Sequence, residues 1–243
     1  MDYINEKKDF LENGVVVVRG LFPKATIEEC LVDFENFTDV KGAIDLGHLL
    51  NDEANGAETL KYFQYINVYI KSFNKLLSSK ILSIGQFFLE QDVYFSPMGM
   101  HNKGPKIGSI TPPHQDNFYS CLTPPDFVTA YVPLLPMSPI NGGIQYVLGS
   151  HKLGVLDHAV SSVKAFSSGL DRSVMDGYKI LKPDLKPGDV VFHHGNIIHL
   201  AQNNETDSQR YAVAIGIFGE NAMVDINLKN QYEKNLRMNR GEG

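Results

Sequence analysis

The segment Thr111-Pro112-Pro113-His114-Gln115-Asp116 puts an imidazole and a carboxylate two residues apart. In an extended strand, residues i and i+2 point to the same face, so His114 and Asp116 present a nitrogen and an oxygen side by side. One histidine from a distant strand would complete two nitrogens and one oxygen on one face of a metal. That set leaves three positions open for substrate chemistry, as in non-haem Fe(II) oxygenases. His199, 83 residues after Asp116, is the candidate; it follows the Pro187-Gly188-Asp189 turn and the apolar run at 190–192. Eleven residues later Arg210 heads a strand-like stretch. Alternation there puts Arg210, Ala212, Ala214 and Gly216 on one face, and small residues leave room for a ligand beside the guanidinium. Its fork suits a carboxylate, while an edge salt bridge is an equally good reading of Arg210 by itself.

Such side chains need rigid elements to hold them, and the chain changes texture near residue 92. Before it, Val15-Val16-Val17-Val18 reads as a strand after Asn13-Gly14, and Thr26-Ile27-Glu28-Glu29 as a capping box opening a helix toward Phe37. Residues 41–60 read as loop, and 62–78 and 80–90 as helices by apolar spacing. After it, 92–96, 127–135, 143–148, 178–181, 190–194 and 211–218 are strand-like, separated by Asn141-Gly142-Gly143 and Lys186-Pro187-Gly188-Asp189 turns. Many short strands with few helices between them predict a mainly β fold with flanking helices, a jelly roll. With no Pro/Gly/Ser-rich linker, residues 1–243 read as one domain: a mostly helical flank over 1–90, a jelly-roll core over 91–220 and a tail over 221–243. The irregular stretch 152–177 has the length of a lid.

Composition narrows the function classes. Lys and Arg number 22 against 28 Asp and Glu, a net charge of −6 with no basic block, which argues against a nucleic-acid partner. Two distant cysteines, Cys30 and Cys121, exclude a disulfide scaffold and a four-sulfur zinc site. The polar start MDYINEKKDF and the absence of an 18-residue apolar run predict neither a signal peptide nor a membrane span, and hence a cytoplasmic protein.

Several motifs, in order, resemble the phytanoyl-CoA dioxygenase family of Fe(II)- and 2-oxoglutarate-dependent oxygenases. They are the entry segment from Phe10 to Gly20, Pro113-His114-Gln115-Asp116, and Asn141-Gly142-Gly143 leading to Gly149-Ser150-His151. Leu185-Lys186-Pro187-Gly188-Asp189-Val190-Val191-Phe192, His199, Asn204, Thr206 and Arg210 follow, so the resemblance runs from residue 10 to about 218. It implies a double-stranded β-helix of the cupin-like kind. His114, Asp116 and His199 would be the catalytic iron ligands, and Arg210 would bind the far carboxylate of 2-oxoglutarate. Tyr131 falls at an aromatic position lining that cosubstrate. Many members carry a serine two residues after the last iron histidine; here it is Ala201, so Thr206 or Tyr131 must assist Arg210. The implied reaction consumes O2, releases succinate and CO2, and oxidises a C–H bond of a small molecule, chiefly by hydroxylation. Asp116 stands where halogenating relatives have Ala or Gly, which turns the reading away from halogenation.

Toward the substrate, Phe118 is the best placed by parity with Asp116, followed by Asn117 and Tyr119. Lys106 and Lys103, in the Gly-rich segment before the motif, are weighed as contacts for an anionic group against the commoner role of solvated loop lysines. No cationic cluster marks a site for the CoA phosphates, so a small free metabolite is favoured. His193 and His194 read as supporting or packing groups, His151 as structural, and His48, His101 and His158 as surface residues. Two other functions stay open: a jelly-roll protein that binds metal and 2-oxoglutarate without turnover, and a cupin-type metalloenzyme that does not use 2-oxoglutarate.

Overall fold

The computed structural model describes every residue except 1, 2, 39, 55, 56, 164, 242 and 243. Two facing antiparallel sheets form a jelly roll. The larger runs in the order Val15–Val18, Val190–His194, Phe127–Pro133, Arg210–Gly219, Gly99–Lys103, Ala57–Gln64 and Leu49–Ala54, and Val93–Phe95 pairs with the far end of Arg210–Gly219. The smaller runs Ile180–Leu181, Ile144–Val147, His199–Ala201 and Thr111–His114.

Alternation divides the large sheet into two working faces. Val128, Ala130 and Val132 point outward with Val213, Ile215 and Ile217 and join the main core under the N-terminal helices. Thr129, Tyr131, Ala212 and Ala214 point the other way, toward the smaller sheet. Helix Ser79–Leu89 seals the outer face through Ile81, Ile84 and Phe88, spaced as one helical stripe and each nearly inaccessible to solvent. Burial of each such side chain contributes about 1.5–3 kcal/mol. Gly85 lets this helix approach the sheet, since a Cβ there would lie 2.7 Å from the Ile217 side chain. Helix Ile4–Asn13 ends on Gly14, whose φ of 78° and N–H donated to the Phe10 carbonyl turn the chain into the edge strand Val15–Val18.

The N-terminal ninety residues are richer in strand than their apolar spacing predicts. Residues expected as loop over 41–60 form helix Val40–Asp45 and most of a hairpin, Leu49–Ala54 with Ala57–Gln64, that extends the large sheet. The expected helix over 62–78 starts as the end of that hairpin and keeps only Ile66–Tyr69 and a 3-10 turn, Lys71–Leu76. Pairing with Gly99–Lys103 outweighs local helical spacing there. The second helix begins at Lys24 and not at the expected Thr26 cap; Pro23 precedes it and no side chain caps it. The 152–177 stretch holds a small hairpin, Ala159–Val160 with Ser168–Gly169. Its hairpin packs on helix Ile226–Asn239, within the segment read as a tail. Asn235 of that helix donates to the His158 carbonyl (2.7 Å) and to Ser168 Oγ (3.2 Å). Among the described residues no helix is long and apolar enough to cross a membrane.

Candidate active site

His114 closes the strand Thr111–His114 of the smaller sheet and pairs directly with His199, the first residue of His199–Ala201. Cross-strand pairing brings the two rings to 4.2 Å between centroids. Asp116 opens a short helix, Asp116–Ser120, one residue after the strand ends. Gln115 between them fixes this corner: its amide nitrogen donates to the carbonyls of Gly154 (2.7 Å) and Asn196 (2.6 Å), and its amide oxygen accepts from the Leu156 N–H (2.7 Å). One ligand atom from each of His114, Asp116 and His199 lies within 4.8 Å of the others.

The hydrogen-bond network assigns the ring protons. His114 Nδ1 lies 2.9 Å from the Pro112 carbonyl and His199 Nδ1 3.1 Å from that of Ile197. A carbonyl only accepts, so each Nδ1 carries the hydrogen and each Nε2 keeps a lone pair. These lone pairs face Asp116 Oδ1 at 3.6 and 3.4 Å. Three electron-rich atoms converging in a buried corner repel one another unless a cation lies between them, and two imidazoles with a carboxylate suit a divalent transition metal. Burial, and then His199, push the His114 pKa down, keeping its lone pair free.

The other carboxylate oxygen is held from behind. Thr129 Oγ1 donates to Asp116 Oδ2 at 2.8 Å, and His193 Nε2 lies 3.1 Å from the same atom. On its other side His193 Nδ1 is 3.0 Å from the Tyr146 hydroxyl. Since the carboxylate accepts, Nε2 carries the His193 hydrogen and Nδ1 accepts from Tyr146. Both His193 and Tyr146 are buried. This chain fixes the rotation of the Asp116 carboxylate and aims Oδ1 at the two histidines, the kind of outer support that orients metal ligands.

A cavity of about 370 Å³ opens in front of these residues. Arg210 lines one end, only 3% exposed. It donates to the Tyr131 hydroxyl at 2.8 Å, while its Nε has no hydrogen-bond partner. A buried guanidinium with an unpaired N–H is costly by itself and suits a carboxylate. Lys103, the cross-strand partner of Arg210, is also buried and donates to the Ser109 carbonyl. Burial and the nearby Arg210 lower its pKa to about 6. His101, two residues earlier on the same face, also lines the cavity; burial and Arg210 push it down to about 3. Asp52 and Lys61 form a buried pair at the same end, 3.0 Å apart.

The structure thus brings together His114, Asp116, His199, Arg210 and Tyr131, and Ala201 lines the cavity as well. Four other expected site residues lie outside the lining. Thr206 spends its hydroxyl on Asn204 Oδ1 (2.7 Å). Phe118 is buried against His158, rings stacked at 4.1 Å, because the helix starting at Asp116 ends the strand parity used to place it. Asn117 is also buried and bonds the Leu122 backbone in both directions. Lys106 is on the surface, bound to the Glu205 carbonyl and near Asp207. Two histidines read as surface residues are not: His101 faces the cavity, and His158 accepts from the Gln115 N–H at 3.1 Å. Alternation along Gly99–Lys103, read together with Arg210, carries the signal for His101 and Lys103. Parity with Tyr131 carries it for Thr129.

Comparison with known proteins gives four likenesses. Residues 10–212 match the family model described as phytanoyl-CoA dioxygenase. The chain is 27% identical to a 1-deoxypentalenic acid 11-beta-hydroxylase of Streptomyces exfoliatus over 77% of this chain and 70% of that one. It is 24% identical to a probable alpha-ketoglutarate-dependent hypophosphite dioxygenase of Stutzerimonas stutzeri over 88% of this chain and 78% of that one. Among solved structures, EctD from S. alaskensis with 2-oxoglutarate and 5-hydroxyectoine superposes with a TM-score of 0.76 at 16% identity, covering 91% of this chain and 77% of that one.

Proposed function

This chain belongs to the phytanoyl-CoA dioxygenase family, and we propose that it is a non-haem Fe(II)- and 2-oxoglutarate-dependent dioxygenase that hydroxylates a small molecule. His114, Asp116 and His199 would hold the iron, and Arg210 with Tyr131 the far carboxylate of 2-oxoglutarate. The convergence of two Nε2 lone pairs and one carboxylate oxygen, with an unpaired buried guanidinium in the same cavity, carries the reading. The relatives named as a hydroxylase and a dioxygenase support it.

When bound, iron and 2-oxoglutarate supply the oxidising chemistry, with O2 consumed and succinate and CO2 released. The protein's part is to bind, orient and exclude water. Thr129 and His193 keep the Asp116 carboxylate at one rotation. Tyr131 accepts a hydrogen bond from Arg210 and would assist it, since Ala201 offers no hydroxyl. Phe166 covers one side, its ring 5.0 Å from that of His114. We place the protein in the cytoplasm, a reading supported by two buried, unpaired cysteines.

The test is anaerobic addition of Fe(II) and 2-oxoglutarate. We expect a 2-oxoglutarate-dependent visible absorbance band, lost in Asp116→Ala, and succinate release once oxygen and a substrate are supplied. No band at saturating Fe(II) and 2-oxoglutarate would overturn the assignment.

A further inference from the structure

We infer that the substrate meets this site through an uncharged, predominantly apolar surface. The inference rests on the iron and 2-oxoglutarate reading for which end of the cavity the cosubstrate takes.

The strand Arg210–Gly219 runs along the cavity, and its register with Phe127–Pro133 orders the lining. Ala214 faces Tyr131, Gly216 faces Thr129 and Phe218 faces Phe127. Thr129 is bonded to Asp116, so the metal position lies at the Gly216 level. Arg210 is at one end of this line and Phe218 at the other.

Charge is distributed unequally about that level. Among the described residues, and apart from Asp116 and its histidines, the ionisable acidic and basic groups that line the cavity are Arg210, Lys103, Lys61, Asp52 and His101. All belong to the Arg210 end, where Lys103 pairs with Arg210 in register and Asp52 with Lys61 as an ion pair. Arg210, a buried cation without a carboxylate partner, matches the anionic cosubstrate, and the Lys103 amine lies beside it in register.

Past Gly216 the wall changes character. The Phe127 and Phe218 rings pack at 4.6 Å and Phe166 closes from the 152–177 stretch, and among the described residues no charged side chain lines this half. Its hydroxyls are mostly spent on the protein. Tyr119 donates to the Ser168 carbonyl, Ser96 to that of Pro97, and Thr129 to Asp116. Among the described lining residues, Ser120 here and Tyr62, whose hydroxyl lies against Gly99, keep hydroxyls for the substrate. A charged group brought here loses its water and gains no partner, which excludes it. A volume of about 370 Å³ shared with the cosubstrate also keeps the part inside the cavity small.

The experiment uses three near-isosteric probes: 1-adamantanol, 1-adamantanecarboxylate and 1-adamantylammonium. Each is titrated calorimetrically, without oxygen, into protein carrying Fe(II) and 2-oxoglutarate and into metal-free protein. We expect the alcohol to bind at least about tenfold more tightly than either ion. In Phe218→Lys the carboxylate should gain at least about tenfold and overtake the alcohol; Phe166→Lys, on the opposite wall, gives a second variant if the first does not fold. The inference is overturned if either ion binds the unmodified protein as well as the alcohol does. It is equally overturned if the alcohol shows no sub-millimolar binding, or if a folded lysine variant keeps the original ranking. Failure of the function itself would show separately, as absence of the Fe(II)- and 2-oxoglutarate-dependent absorbance band before any probe is added.

Discussion

Replacing His193 by Phe removes a side chain outside the proposed ligand set and yet should loosen the metal. His193 donates to Asp116 Oδ2 at 3.1 Å and accepts from Tyr146 at 3.0 Å. A hydrogen bond to a charged group contributes about 1.5–3 kcal/mol. Thr129 still holds Oδ2 at 2.8 Å, so the carboxylate keeps one of its two supports. Fe(II) binding should therefore weaken by about 10- to 100-fold, the usual range for loss of such outer support. A second cost is separable. The Tyr146 hydroxyl is left buried without a partner, at about 1–3 kcal/mol, which for a chain of this size lowers Tm by about 2–4 °C per kcal/mol. Adding Tyr146→Phe removes the orphaned hydroxyl, so the double variant should recover most of the Tm while binding Fe(II) as weakly as the single one. Anaerobic calorimetric titration of metal-free protein and thermal unfolding read the two effects independently. The reasoning fails if His193→Phe binds Fe(II) within threefold of the parent, or if Tyr146→Phe restores metal affinity together with Tm.

Arg210→Met should raise KM for 2-oxoglutarate by about 10- to 100-fold, since a charge-assisted bond is lost, with kcat recovering at high cosubstrate; an unchanged KM refutes the assignment. Tyr131→Phe removes one neutral partner of Arg210, and we expect a smaller rise, about fivefold. Gln115→Ala strands two carbonyls and the Leu156 N–H, so it should destabilise by about 3 kcal/mol in urea unfolding. His158 gives a pH signature. Burial lowers its pKa to about 4, below the unfolded value of 6.5. Its contribution is thus complete above about pH 6.5 and is lost as pH falls toward 4, by about 1 kcal/mol per pH unit. The urea midpoint of His158→Gln should fall less steeply than the parent's between pH 6.5 and 4.5, and equal slopes would count against burial of the neutral ring.

The metal corner was legible in the sequence because its geometry is local or carried by pairing. His114 and Asp116 are two residues apart, and His199 and Arg210 stand at the heads of strands. What surrounds it was less legible, for identifiable reasons. Parity placed Phe118 beside Asp116, but a helix begins at Asp116, and a change of period within two residues sends the ring into the core. The family resemblance points to Thr206, yet its hydroxyl is consumed by a turn with Asn204 and Ser208. His101 reads as an isolated surface residue and Lys103 as a lysine of a Gly-rich loop; pairing of Gly99–Lys103 with Arg210–Gly219 makes them lining residues, a contact between segments about a hundred residues apart. The hairpin of residues 49–64 is hidden for the same reason, since its Gly, Asn and Asp residues read as loop up to residue 60 and only the sheet edge it meets decides.

The long strand Arg210–Gly219 has a consequence for how the protein can change. Arg210 and Phe218 are eight residues apart, roughly 27 Å of extended chain at about 3.4 Å per residue. Mutational effects usually couple only within about 7–10 Å. Exchanges at Phe218, Phe127 or Ser96 should therefore combine additively in free energy with exchanges at Arg210, Tyr131 or Lys103. The two ends can drift independently, so a lineage could retune what it oxidises without first passing through variants that have lost their grip on the oxidant's partner.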